Sequence, residues 1–254
     1  MDLPFLQSER FRDTGVVRHG FFGKQGGVSA GDYASLNVSY SVGDTADNAS
    51  ANRGLISDVM AGGPLVTLKQ VHSNRVVTVE AGALPDAAIE ADGLVTRRAD
   101  VLLGVLTADC APLLFVDPHA GVIGAAHAGW KGAVTGIVEN TLRAMEALGA
   151  QRRRIAMDIG PTISGENYEV GPDFMRDALS LNADAERAFF VPDGGREHFD
   201  LPRFLHNDAM RVGLTEIDTR NACTYADPGR FFSHRYATHH GSKTGRQVAV
   251  IGLA

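Results

Sequence analysis

Cysteine and long apolar runs are scarce in this sequence, and its 24 basic residues are outnumbered by 30 acidic ones. The two cysteines, Cys110 and Cys223, cannot build the framework of several disulfides that holds small secreted domains together. No apolar run approaches the ~20 residues that a membrane-spanning helix needs. The formal net charge is −6, so neither nucleic acid nor an anionic membrane is an expected partner.

The first ten residues also lack the basic segment and apolar core of a secretion signal. With two cysteines and no such signal, we expect a cytoplasmic protein, present as a monomer or a homodimer.

What the chain does contain is ordinary for a globular protein: 254 residues, of which 44% are hydrophobic and 21% charged. It shows no linker, internal repeat or low-complexity segment, so we predict a single domain over residues 1–254. Short apolar runs interspersed with helical patterns predict the α/β (α+β) class, with mixed sheets and helices packed outside them. We expect strands at residues 3–5, 16–22, 65–71, 75–80, 92–96, 101–106, 112–116, 121–126, 154–159, 215–218, 231–235 and 245–253. We expect helices at residues 47–60, 130–149, 172–181 and 202–214, the second being the longest.

Two apolar runs, residues 103–115 and 121–132, are interrupted by side chains that a protein core does not favour. Cys110 interrupts the first run. In the second, the predicted strand ends at His127, just before a predicted helix. A third apolar run ends at His72. Because burying a polar group costs free energy unless the group is paired or bound, these three side chains are either costly or useful.

Two imidazoles and one thiolate form a known ligand set for catalytic zinc, in which the fourth position is left to water or substrate. His72, Cys110 and His127 are separated by 38 and 17 positions, which suits neighbouring strand ends better than a zinc-finger loop. The alternative is that each is an ordinary buried residue, since free cysteine often packs as a small hydrophobe. The helix after His127 would direct its positive end toward such a site, with Lys131 in its first turn.

Several motifs resemble the YfiH-type laccase-domain or polyphenol oxidase family, whose members are also called purine nucleoside phosphorylases. The matching segments include residues 69–72 (KQVH), 92–96 (DGLVT), 107–112 (TADCAP), 126–132 (AHAGWKG), 168–171 (YEVG), 231–235 (FFSHR) and 244–246 (TGR). The motifs occur in order and cover almost the whole chain.

The resemblance implies a zinc site at His72, Cys110 and His127, which would be the catalytic residues. It implies phosphorolysis of adenosine, inosine and S-methyl-5′-thioadenosine, with accompanying adenosine deaminase activity. The substrates would be a purine nucleoside and phosphate. It also implies a layered α/β/β/α arrangement, similar to the catalytic domain of cytotoxic necrotizing factor toxins.

Phosphorolysis requires positive groups that hold phosphate and a donor that protonates the departing purine. The phosphate-binding candidates are Arg53, Lys131, Arg235 and Arg246. Asp92 and Asp109 are candidates for orienting a ligand histidine or handling a proton. The alternative for Asp92 is that it caps a turn.

Three other functions use the same residues. A copper polyphenol oxidase would fit the older family name, and copper(II) outcompetes zinc at most such sites. However, the nine histidines include no His-x-His pair, which argues against a multicopper cluster. A cysteine hydrolase would use Cys110 as nucleophile and His127 or His72 as base. The last alternative is a binding protein without catalytic activity.

Overall fold

The computed structural model describes residues 3–254, so the predicted domain of residues 1–254 begins two residues before the described part. That part contains thirteen strands and seven α-helices. The strands are β1 (Phe5–Leu6), β2 (Val17–Phe22), β3 (Leu65–Val66), β4 (Val76–Val79), β5 (Gly93–Thr96), β6 (Leu102–Thr107), β7 (Ala111–Asp117), β8 (Val122–Ala128), β9 (Ala156–Ile159), β10 (Phe189–Phe190), β11 (His198–Phe199), β12 (Glu216–Thr219) and β13 (Gln247–Leu253). The helices are α1 (Glu9–Thr14), α2 (Ala46–Val59), α3 (Trp130–Val134), α4 (Ile137–Ala147), α5 (Pro172–Leu181), α6 (Leu201–Arg211) and α7 (His234–His240).

Two mixed sheets form the centre of the molecule. The five-stranded sheet has the order β1-β2-β13-β6-β3, and the six-stranded sheet has the order β12-β9-β7-β8-β5-β4. The pairs β3–β6, β4–β5 and β9–β12 are parallel, and the other neighbours within these two sheets are antiparallel. The predicted class, α+β with mixed sheets in one domain, is confirmed.

The two sheets pack face to face. Because successive side chains of a strand point to opposite faces of its sheet, a central strand can contact the other sheet on one face and helices on the other. On β7, Leu114 and Val116 belong to the apolar cluster shared with the five-stranded sheet. Leu113 and Phe115, which alternate with them, belong to the cluster that includes α4 and α6. Helix α2 covers the outer face of the five-stranded sheet through Ile56. The predicted α/β/β/α layering is therefore present.

The predicted long helix over residues 130–149 is wrong, because it is divided into α3 and α4. The chain breaks at Gly136, whose φ of +95° lies in the left-handed region that glycine tolerates and other residues avoid. The longest α-helix of the described residues is instead α2, with 14 residues.

Two predicted strands also differ from the structure. Residues 231–235 are not a strand, because Ser233 caps α7 by accepting a hydrogen bond from the backbone N–H of Tyr236. The apolar run 65–71 contributes only the two residues of β3. Beyond them, the backbone of residues 71–73 bonds to a side chain, Asp92, instead of to a strand.

The chain crosses between the sheets at two places that matter for the site. Residues 108–110 connect β6 of the five-stranded sheet to β7 of the six-stranded sheet. The segment between β3 and β4, which contains His72, makes the same crossing. Among residues 3–254, no helix is long and apolar enough to cross a membrane.

Candidate metal centre and flanking cavities

The structure brings His72, Cys110 and His127 together at the junction of the two sheets. Their donor atoms all lie within 4.8 Å of one another. Cys110 precedes the first residue of β7, His127 lies near the end of β8, and these strands pair with Pro112 opposite His127. The prediction of neighbouring strand ends fits these two residues, whereas His72 is supplied by a loop between the sheets.

The donor spacing fits a tetrahedral metal ion. Sγ of Cys110 lies 3.7 Å from Nε2 of His72. Ligands at the usual zinc distances of about 2.3 Å for sulfur and about 2.0 Å for nitrogen, separated by the tetrahedral angle, would lie about 3.5 Å apart. The spacing of Cys110 and His72 therefore matches that of two ligands of a tetrahedral ion.

Asp92 bonds both to the ring of His127 and to the backbone of His72. Its Oδ1 accepts a hydrogen bond from Nδ1 of His127 at 2.8 Å, which directs Nε2 of that ring toward the other ligands. The same carboxylate also accepts hydrogen bonds from the backbone N–H groups of Val71, His72 and Ser73 and from the hydroxyl of Ser73. Burial would raise the pKa of Asp92, but the hydrogen bonds from His127 and Ser73 lower it to about 2.

Two residues of the site have strained backbones. The φ angles of His72 and Asp109 are +60° and +92°, which residues other than glycine rarely adopt. Hydrogen bonds hold both in place. The carboxylate of Asp109 accepts one hydrogen bond from the hydroxyl of Thr224 and another from the backbone N–H of Arg235, both at 2.6 Å. Asp109 thus joins the Cys110 segment to the first turn of α7.

The charges of Cys110 and His127 stabilise each other. Burial would raise the pKa of the Cys110 thiol, but the positive charge of His127 and hydrogen bonds from both histidines lower it to about 6. Burial would lower the pKa of His127, whereas the Cys110 thiolate and the bond to Asp92 raise it to about 9. Both shifts favour the thiolate–imidazolium form of the pair.

The first turn of α3 approaches the ligands closely through Gly129. A Cβ atom at this position would lie 2.5 Å from Cδ2 of His72 and 3.2 Å from Sγ of Cys110. Glycine is therefore required here by space, and α3 begins directly beside the candidate ligands.

Two cavities border the candidate metal centre, with volumes of about 430 Å³ and about 230 Å³. Both are lined by His72, Ala108, Cys110 and His234. The larger, which we call the polar cavity, is also lined by Ser39, Ser41, Lys69, Gln70, Thr107 and Arg246. The smaller, which we call the aromatic cavity, is also lined by Asp109, Trp130, Ile163, Tyr168, Leu201 and Arg235.

The four predicted phosphate-binding residues separate into two groups. Arg246 lines the polar cavity and Arg235 lines the aromatic cavity. Arg53 lines neither, because its guanidinium bonds to the carbonyls of Val38 and Leu65 and to the hydroxyl of Thr67. Lys131 is exposed and also lines neither.

Sequence reasoning gave no role to Trp130, Tyr168 or His234, which all line the cavities. Each lies inside a motif that carries the family resemblance, and this membership is the one feature of the sequence that could have marked it as a site residue. Their positions depend on α3, α7 and the segment before α5 meeting at the crossing between the sheets.

The two packed sheets, with a His–Cys–His group at their junction, define a class of α+β proteins that can hold a metal ion. A family model described as multi-copper polyphenol oxidoreductase laccase matches residues 18–254. The chain belongs to this laccase-domain family, so the predicted YfiH-type membership is confirmed.

Curated relatives and solved structures agree with that assignment. A Deinococcus radiodurans protein named purine nucleoside phosphorylase is 39% identical, over 99% of this chain and 93% of its own length. One from Corynebacterium glutamicum with the same general name is 37% identical, over 93% of this chain and 94% of its own. The crystal structure of the Bacillus licheniformis hypothetical protein YfiH superposes with a TM-score of 0.89 at 30% identity, covering 100% of this chain and 97% of that one.

Proposed function

We propose that this chain is a zinc-dependent purine nucleoside phosphorylase acting on adenosine, inosine and S-methyl-5′-thioadenosine, and that it also deaminates adenosine. The main support is the position of the His72–Cys110–His127 group between a polar cavity with Arg246 and an aromatic cavity with Trp130. A purine needs an aromatic or apolar face, and phosphate needs a cation. The relatives' name, purine nucleoside phosphorylase, supports the phosphorylase part of this proposal.

His72, Cys110 and His127 would hold the metal, and Asp92 would keep the two histidines oriented. When bound, zinc would supply a Lewis acid that activates water near neutral pH, which suits attack at C6 of adenosine. A cytoplasmic location, where thiols stay reduced, would suit a site that needs a free Cys110 thiolate.

For phosphorolysis, the residues must hold phosphate near C1′ of the ribose and help the base to leave. Arg246 and Arg235 are the predicted phosphate ligands that line the cavities. Burial lowers the pKa of Arg246, but a guanidinium remains charged at neutral pH. The rings of Trp130 and Tyr168 offer surfaces on which a purine can stack.

The test is to incubate the zinc-loaded protein with adenosine, with and without phosphate, and to separate the products by chromatography. We expect adenine and ribose 1-phosphate only when phosphate is present, and a smaller amount of inosine in both cases. His127→Ala should abolish both activities because it removes a metal ligand. If the wild-type protein yields neither adenine nor inosine, the proposed function is wrong.

A cysteine hydrolase is the second candidate, supported by the thiolate–imidazolium pair of Cys110 and His127. Removing the metal with a chelator separates the two, since a hydrolase would keep its activity and the proposed phosphorylase would lose it. A multicopper oxidase has less support. Among residues 3–254, one group of three or more potential ligand side chains is found, whereas such an oxidase needs several copper sites.

A further inference from the structure

His234 is the one side chain with an ionisable imidazole, apart from the candidate ligands, that lines a cavity beside the metal centre. It lines both the polar and the aromatic cavity, so it borders both of the spaces that a nucleoside and phosphate would fill. It is not part of the metal-ligand group. It is therefore free for another role at the reacting atoms.

The backbone at His234 is held in place from both sides. On one side, Phe232 donates its N–H to Oε1 of Gln247 at 2.7 Å. On the other, Arg235 donates its N–H to Asp109, which adjoins the ligand Cys110. Ser233 between them is buried and caps α7. The position of His234 is thus fixed relative to the metal centre.

The imidazole of His234, in contrast, is uncommitted. Within residues 3–254 its ring makes no hydrogen bond to another residue, although other rings on the same helix do. His239 bonds to the hydroxyl of Tyr225 at 3.0 Å, and His240 bonds to the carbonyl of Tyr236 at 2.8 Å. His234 is also exposed, so it can exchange protons with water.

The other groups in the aromatic cavity are less suited to donating a proton. Both oxygens of Asp109 already accept hydrogen bonds. Burial raises the pKa of Tyr168, so its hydroxyl keeps its proton at neutral pH. The Arg235 guanidinium does not release a proton. Histidine is the residue most often used as a general acid.

We propose that His234 is the catalytic acid that protonates the departing purine, an inference that rests on the phosphorylase function proposed above. A phosphate oxygen forms a bond to C1′ while the bond from C1′ to N9 breaks. The electron pair of that bond moves onto the purine, which takes a proton from the His234 imidazolium. The neutral imidazole then regains a proton from water.

Two substrates with different leaving groups test this role. Adenine needs a proton to leave, whereas 4-nitrophenolate, released from 4-nitrophenyl β-D-ribofuranoside, is a stable anion. His234→Gln should lower kcat/KM for phosphorolysis of adenosine by about 10²–10⁴-fold, the usual contribution of a general acid, and that of the nitrophenyl riboside by much less. His240→Gln, a change on the same helix outside both cavities, should affect neither.

Zinc content and thermal unfolding of His234→Gln should match the wild type, since the side chain is exposed. Equal losses on both substrates, or no loss on adenosine, would overturn the role of His234 while leaving the phosphorylase function intact. If the wild-type protein cleaves neither substrate in the presence of phosphate, the proposed function fails, and the role of His234 fails with it.

Discussion

Asp92 lies 2.8 Å from His127, with its carboxylate Oδ1 accepting the hydrogen bond of the ring Nδ1. The same oxygen accepts the backbone N–H of His72 at 3.0 Å. One buried carboxylate therefore fixes the ring of one candidate metal ligand and the backbone of another. Burial would raise the pKa of this carboxylate, but the hydrogen bonds from His127 and Ser73 lower it to about 2, which favours the ionised form at neutral pH.

The first prediction is that Asp92→Asn weakens zinc binding by about 10–100-fold, the usual cost of losing a residue that orients a metal ligand. An amide cannot accept all the bonds that the carboxylate accepts, so both histidines lose orientation. Competition with a coloured chelator measures the affinity. The control is Asp100→Asn, which removes an exposed carboxylate paired with Arg98. Equal affinities of the two variants would contradict the role of Asp92.

The second prediction is that one zinc ion binds per chain and requires Cys110. Elemental analysis of freshly purified Cys110→Ala should find the stoichiometric zinc lost, whereas Cys223→Ala should keep it. The two substitutions are chemically identical, and both cysteines are partly buried. Stoichiometric zinc in Cys110→Ala would remove the thiolate from the ligand set.

The third prediction concerns pH in the metal-free protein. Because the pKa of Cys110 is lowered to about 6, alkylation by iodoacetamide should have its midpoint near pH 6 in a Cys223→Ala background. His127→Gln removes the stabilising charge and should move the midpoint toward the ordinary thiol value of about 8.5. A wild-type midpoint near the ordinary value, or one unchanged by His127→Gln, would exclude the ion pair.

The same pair determines how zinc affinity depends on pH. The pKa of His127 is raised to about 9, so below that pH its imidazolium must lose a proton before it can bind a metal. We therefore expect the apparent affinity to weaken by about tenfold for each unit that the pH falls between about 9 and 6.5. Titrations of zinc into buffered protein at several pH values would measure the slope.

The sequence identifies the three candidate ligands more readily than the residues that surround them. His72, Cys110 and His127 stand out because each is a polar side chain at the end of an apolar run, a local feature that needs no knowledge of the fold. Asp92 was also recognisable, as a carboxylate at the start of a strand. Asp92, Cys110 and His127 owe their positions to strands that pair with neighbours close in the chain. His72 instead lies in a loop, whose backbone bonds to Asp92.

The cavity walls depend on contacts between distant segments, which periodicity does not reveal. His234 was expected in a strand, and it reaches the site because Ser233 starts a helix that Asp109 anchors from 126 residues away. Arg53 looked equivalent to Arg246 in the sequence. Their difference arises from tertiary partners, because the Arg53 donors reach the carbonyls of Val38 and of Leu65 in β3, which only the folded chain brings close. Arg246 bonds instead to the carbonyls of Thr244 and Gly245 beside it in the chain.

The fourth prediction distinguishes the basic residues. Arg246→Ala should raise the KM for phosphate by about tenfold or more while zinc content stays unchanged, because a charged group in the polar cavity is lost. Lys131→Ala is the matched control, since it removes an exposed charge that lines neither cavity. Steady-state rates at varied phosphate concentration provide the measurement. An unchanged phosphate KM in Arg246→Ala would assign Arg246 a structural role.

The fifth prediction uses two glycines in the same kind of position. Gly129 precedes α3 and Gly171 precedes α5, and each is the N-cap residue with an extended backbone, at φ −71° and −91°. They differ in the space around them. A Cβ atom on Gly171 would have no atom of another segment within 4 Å, whereas one on Gly129 would contact His72 and Cys110.

We therefore expect Gly129→Ala to weaken zinc binding by at least about tenfold, comparable to the loss of an orienting residue, and Gly171→Ala to leave it unchanged. The His72 ring would have to move, because a Cβ at 2.5 Å from its Cδ2 is closer than any stable contact, and Asp92 holds the backbone of that loop. Any loss of helix capping would be similar in the two variants. The difference between their zinc affinities therefore measures the effect of the new Cβ atom on His72 and Cys110. Zinc competition titrations on both proteins measure it. If Gly129→Ala binds zinc as tightly as Gly171→Ala, the first turn of α3 does not determine the geometry of the metal centre.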